Sequence, residues 1–166
     1  QEPSSGSTAT SDTYALNFSL DPVSEEPDVS ASNLSLNEDT DASGSYSGVD
    51  LTNISVSLSD TSSLSNVTVT LSAVDSDNNA LSGFTLEGTS TVSTGSYDSG
   101  TLTLTVSGTP VGVDLLADLD TLLGDVTLRP PEDFSGDATM TVGVTATEQG
   151  AEPSQQTTAD FTASVA

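Results

Sequence analysis

The chain contains no cysteine, no histidine and no tryptophan, and among its 166 residues only one, Arg129, is basic. Without cysteine there is no disulfide framework, no thiolate chemistry and no cysteine metal site. Without histidine or lysine the common nucleophile–base pairs cannot be assembled. A carboxylate pair could in principle hydrolyse glycosides. However, aromatic residues that would stack on a sugar make up only 4% of the chain, and no acid stands out as buried in apolar surroundings. The chain is therefore read as not an enzyme. One cation excludes nucleic acid and anionic membrane surfaces as partners, because both require clustered Lys or Arg. No apolar run is long enough to span a bilayer, so membrane insertion is not expected.

What the chain does have is acid. Twenty-five Asp and Glu residues give a formal net charge of −24. Such a charge destabilises a compact state by self-repulsion. Bound divalent cations would relieve it, and so would a saline medium that screens the surface. Serine and threonine form about a third of the sequence, far above average usage. Both suit solvent-facing strand positions. The length fits one domain, with a thin core of Val, Leu, Ile and Ala.

Residues 1–12 have linker composition. Tyr14, Leu16, Phe18 and Leu20 alternate as a strand does, and residues 21–28 follow as a stiff acidic joint with two prolines. Residues 13–27 thus read either as an extra first strand or as a preceding module's strand plus acidic linker, with the main domain at 28–166. Within that domain, alternation predicts strands over Val29–Leu36, Val49–Leu58, Val67–Ala73, Leu81–Leu86, Thr89–Val92, Leu102–Val106, Val126–Leu128, Ala138–Ala146 and Ala159–Val165. The slip at Thr52-Asn53 predicts a β-bulge, and Tyr97-Asp98-Ser99-Gly100 a hairpin turn. Leu115, Leu116, Leu119, Leu122 and Leu123 share one face at helical spacing, with Gly124 as the stop. Many short strands and one short helix predict an all-β antiparallel sandwich of immunoglobulin-like or cadherin-like shape.

Calcium takes several oxygen ligands from carboxylates, amides and carbonyls. Asp75, Asp77 and Asn79 place oxygen side chains at every second position, which suits either an ion-wrapping loop or a solvated Asx-rich turn. Glu25, Glu26 and Asp28 with Glu38, Asp39 and Asp41 are candidates for a junction site, with Asp133 approaching. The alternative is acid scattered over loops. Asp114, Asp118 and Asp120 read as a polar helix face. Arg129 is expected to pair with an acid near Pro130 and Pro131, with ligand binding as its weaker reading. Asp98-Ser99-Gly100 matches a short aspartic-protease signature but lacks the apolar residues expected before it, so a turn is predicted. Asn17, Asn33, Asn53 and Asn66 each begin an Asn-x-Ser/Thr sequon.

Asn37-Glu38-Asp39-Thr40, Leu128-Arg129-Pro130-Pro131-Glu132-Asp133-Phe134-Ser135-Gly136 and Thr141-Val142-Gly143-Val144-Thr145-Ala146-Thr147-Glu148 resemble the repeat modules of giant RTX adhesins. These adhesins are secreted by type I systems of Gram-negative bacteria. The resemblance covers most of residues 24–166. It implies tandem cadherin-like modules at the extracellular face of the cell, rigidified by Ca2+ and serving attachment and biofilm formation. Its implied partners are neighbouring modules, and an isolated module would be a monomer. A sugar or peptide ligand is implied if the module is a tip domain. The chain departs from the pattern at Asp77-Asn78, where the family has Asp-Gly, and it carries no glycine-rich nonapeptide.

Overall fold

The computed structural model describes residues 22–37, 48–109 and 114–166; the strand expected around Tyr14–Leu20 lies outside them. The largest unit is a six-stranded sheet in the order β2-β11-β10-β5-β8-β7. Its members are β2 (Leu34–Leu36), β5 (Leu64–Val74), β7 (Gly95–Asp98), β8 (Thr103–Ser107), β10 (Gly136–Glu148) and β11 (Thr157–Val165). Two smaller sheets complete the β structure. One pairs β1 (Asp28–Ala31) with β4 (Ile54–Ser57); the other orders β3 (Val49–Asp50), β9 (Val126–Arg129) and β6 (Thr85–Gly88) as β3-β9-β6. One helix, α1 (Leu115–Asp125), accompanies them among the described residues. The chain is strand-dominated and built from several sheets, as expected.

The alternation in the sequence becomes the two faces of the large sheet. Val67, Val69, Leu71 and Ala73 of β5 and Ala138, Met140, Val142, Val144 and Ala146 of β10 are all buried. Leu104 and Val106 join them, as do Phe161, Ala163 and Val165, in a single core shared with the smaller sheets. Four helix leucines, Leu115, Leu119, Leu122 and Leu123, bury into that core, while Leu116 is only half-buried. The opposite face is hydroxylated: register places Thr68 beside both Thr105 and Thr145, and Thr70 beside Thr103. Such cross-strand pairs each stabilise a sheet by a few tenths of a kcal/mol, up to about 1.

Several elements differ from expectation. Val29–Leu36 is not one strand. β1 pairs with β4 in one sheet, the chain crosses at Ser32-Asn33, and β2 pairs with β11 in another. The slip at Thr52-Asn53 is likewise no bulge but a turn between sheets, closed by Ile54 N–H to the Leu51 carbonyl at 3.0 Å. A change of sheet and a bulge both shift the alternation by one residue, so the sequence pattern does not separate them. Leu81 lies outside the strand that was expected to begin with it, and β6 starts at Thr85. Thr89–Val92 is not a strand; Thr91 instead donates both its N–H and Oγ1 to Asp125, each at 2.6 Å. The strand is β7, beginning at Gly95, and its turn into β8 falls where Asp98 predicted it. Gly124 does not stop the helix, which continues through Asp125 and ends where Val126 takes up extended geometry and pairs at once with Gly88.

Register defines two poles of the large sheet. Gly136 stands opposite Val165, and Val144 opposite Thr157. Parallel pairing puts Leu36 beside Val165, and the Ala166 N–H donates to the Leu36 carbonyl at 3.1 Å. Ser24, by contrast, is bound to Glu148 and Glu152, beyond the other end of β10 and β11. Ser24 and Val165 thus lie at opposite poles. The nine residues of β11 separate the poles by roughly 30 Å, at about 3.4 Å per residue.

Candidate functional site

At the inbound pole, residues 22–27 lie as a strap over the end of the sheets. Ser24 is the one buried polar residue in the described chain. Its Oγ donates to the Glu152 carbonyl at 2.6 Å and accepts the Glu148 N–H at 2.9 Å. Glu25 follows immediately: its Oε1 accepts from Ser59 Oγ and its Oε2 from the Asp60 N–H at 2.9 Å. The Ser59 hydroxyl, followed by the Asp60 N–H, holds the Glu25 carboxyl below the usual range. Pro27 is buried, whereas Glu26 and Asp28 are exposed. Pro22, Val23 and Glu26 form one wall of a cleft of about 320 Å³, and Glu152, Pro153 and Gln155 the other. Val23 is 81% exposed.

Asp75, Asp77 and Asn79 sit at the outbound pole, in the turn that leaves β5. Asp75 Oδ1 accepts the Asp77 N–H at 2.9 Å and the Asn79 N–H at 2.8 Å, and Oδ2 accepts Asn79 Nδ2 at 3.0 Å. These bonds, the Asn79 side chain's first, lower the Asp75 pKa. Asn78 takes a left-handed φ of 62°, which asparagine tolerates well. The geometry is that of an Asx-turn whose carboxylate already faces N–H donors. Donors aimed at a carboxylate oppose the approach of a cation to the same oxygens. Asp133 occupies the turn between β9 and β10, also at this pole, with φ 59°. Glu38, Asp39 and Asp41 lie outside the described residues; their flanks, Asn37 and Gly48, adjoin β2 and β3 at the outbound pole. Among the described residues no three acidic side chains converge as a metal site requires.

The remaining candidates serve local structure. Asp114 caps α1, accepting the Ala117 N–H at 3.2 Å, and Asp118 accepts from Thr94 Oγ1 at 2.6 Å. Asp98 Oδ1 accepts the N–H groups of Gly100 at 2.8 Å and Thr101 at 3.0 Å, which closes the β7–β8 hairpin. Asn33 Oδ1 accepts the Thr162 N–H at 2.9 Å, Asn53 Nδ2 donates to the Ser32 carbonyl at 2.6 Å, and Asn66 Oδ1 accepts from Thr68 Oγ1 at 3.1 Å. Three of the four sequon asparagines are therefore tied into the fold, and Asn17 lies outside the described residues.

Arg129 pairs with Glu87 on β6 at 3.1 Å, across the sheet, in a cleft that Pro130 also lines. Thr85 stands opposite Arg129, and Glu87 lies two residues farther along on the same face. The pair lines a polar cleft of about 290 Å³ with Thr85, Ser99 and Glu132.

Neither Ser24 in the strap nor Asn33 at the crossing between β1 and β2 was foreseen as an anchor. A serine between a proline and two glutamates carries the composition of a linker, and only the packed structure reveals its burial. No protein-family model and no curated protein sequence matches the chain.

Proposed function

We propose that this chain is a non-enzymatic, immunoglobulin-like or cadherin-like module of an extracellular bacterial adhesin, which gives reach and stiffness to a cell-surface tether. The observation that carries this reading is the placement of the strap at Ser24 and of the Leu36–Val165 pairing at opposite poles, roughly 30 Å apart by strand rise. A module threaded pole to pole extends a linear array. The immunoglobulin-like type is supported by the crossing at Ser32-Asn33 from β1 in one sheet to β2 in another, where β2 pairs parallel with β11. The reading draws further on the resemblance of residues 24–166 to adhesin repeats and on the scarcity of catalytic groups.

Calcium, in this proposal, sits where two modules meet. Glu25, Glu26 and Asp28 lie at the inbound pole, and Asp77 and Asp133 at the outbound pole, where Asp75 already spends its oxygens on N–H donors. Neither set alone forms a cage of three, so a second module would complete the ligand shell. The test compares a single module with a tandem pair in calcium and in chelator, at matched ionic strength. The pair's melting temperature should rise with calcium well beyond that of the single module, since an ion held only by the folded pair stabilises it by mass action. Identical curves for the pair in calcium and chelator would overturn calcium bridging.

A second reading, ligand recognition near the adhesin tip, is favoured by the polar cleft around Arg129, Glu87 and Glu132. A glycan and peptide array probed in calcium tests it; silence there returns the module to a spacer role.

A further inference from the structure

We infer that the pairing of β2 with β11 is a mechanical clamp, which resists stretching of the chain between its two poles. Among the described strands β2–β11 is the one parallel pair; the other described pairings are antiparallel. Its members are β11 and β2, the last and the second of the described strands, matched at Leu34–Ala163, Ser35–Ser164 and Leu36–Val165.

Polarity decides how a load is shared. Tension applied at the strap draws β2 toward the inbound pole, while tension at Ala166 draws β11 toward the outbound pole. Two parallel strands loaded in this way slide along their common axis. Their slanted, evenly spaced hydrogen bonds are then stressed together. An antiparallel pair loaded at one shared pole would open one bond at a time.

Two further bonds lengthen the clamp at its ends. Asn33 Oδ1 accepts the Thr162 N–H at 2.9 Å, and the Leu36 carbonyl accepts the Ala166 N–H at 3.1 Å. Leu34, Leu36, Ala163 and Val165 are all buried, so sliding the pair also drags four apolar side chains through the core. Upstream, β1 holds β4 over four residue pairs, Asp28–Ser57 to Ala31–Ile54. The crossing at Ser32-Asn33 therefore ties the pulled segment into two sheets at once.

The source of the load rests on the tether reading above, whereas the strand mechanics belong to the chain alone. Because the chain has no cysteine, handles can be placed at single introduced thiols. The full chain carrying Val23→Cys and Ala166→Cys is stretched pole to pole by single-molecule force spectroscopy in chelator. The same chain carrying Asn37→Cys and Ala166→Cys is pulled from the outbound pole alone, which peels β2 from β11. The clamp predicts one cooperative event pole to pole, at about twice the peeling force or more, since several hydrogen bonds must yield together. Equal forces in the two geometries would overturn it. Asn33→Ala, whose loss is confined to one exposed bond, should lower the pole-to-pole force while leaving the peeling force unchanged; a parallel drop in both would also count against the clamp. A calcium-independent melting curve would defeat calcium bridging yet leave this force ratio intact, so the two proposals fail separately.

Discussion

Ser24 and Glu148, 124 positions apart in sequence, meet through the Glu148 N–H, which donates to Ser24 Oγ at 2.9 Å. The same hydroxyl donates a hydrogen bond to the Glu152 carbonyl at 2.6 Å. One buried side chain thus satisfies a donor and an acceptor at the end of β10 and fastens the strap. Ser24→Ala leaves both backbone groups without their partner. The expected loss is about 1–3 kcal/mol, read from urea unfolding as a lower midpoint with an unchanged slope.

The carboxylates that close turns set the response to acid. Backbone bonds from Thr101 and Gly100 lower the Asp98 pKa below the ordinary 3.8. A folded pKa below the unfolded one contributes stability that is fully present above the unfolded value. That stability is lost as pH falls through the folded value. Asp98→Asn should therefore melt below the parent at neutral pH, and the gap should narrow as pH drops below about 4. A gap independent of pH would mean that the charge on Asp98 contributes nothing.

Gly88 holds φ at 140°, and a Cβ built there would lie 2.3 Å from the Asp125 carbonyl oxygen. Both the backbone conformation and the neighbouring backbone exclude a side chain. Gly88→Ala is expected to cost about 1–3 kcal/mol or more. Gly100→Ala serves as the control: its nearest neighbour would be Asp98 Oδ1 at 3.4 Å, and the change should stay within about 0.5 kcal/mol. Thermal melts of the two variants side by side check the contrast.

Leu119 is fully buried between α1 and the large sheet, while Leu116 on the same helix is half-buried. Truncating Leu119 to alanine opens a cavity that neighbours fill only in part, at about 2–5 kcal/mol. Leu116→Ala should cost well under half of that. Equal losses in chemical denaturation would show that the helix packs differently.

The sequence made the long strands plain and the short ones ambiguous, for a physical reason. Along β5, β10 and β11 one face stays in the core for many residues, so the period of two is written out in full. At Ser32-Asn33 and again at Leu51–Asn53 the chain changes sheet while keeping its apolar residues inward. Periodicity records which face is buried and is silent about which neighbour is hydrogen-bonded. β7, Gly-Ser-Tyr-Asp, carries only one large inward residue, Tyr97, and no pattern to detect. The acidic joints were legible as joints. What their carboxylates bind was not, because Glu25 and Asp75 are engaged by N–H and O–H donors from residues whose approach depends on the fold.

Helix α1 passes into β9 with no intervening loop, and the Val126 N–H still reaches back to the Leu122 carbonyl. That seam has no slack. A single residue inserted between Asp125 and Val126 would invert the strand that follows, turning Val126 and Leu128 outward to water and Thr127 inward. Length changes should thus be tolerated at the hairpin tip near Ser99 and rejected at this splice.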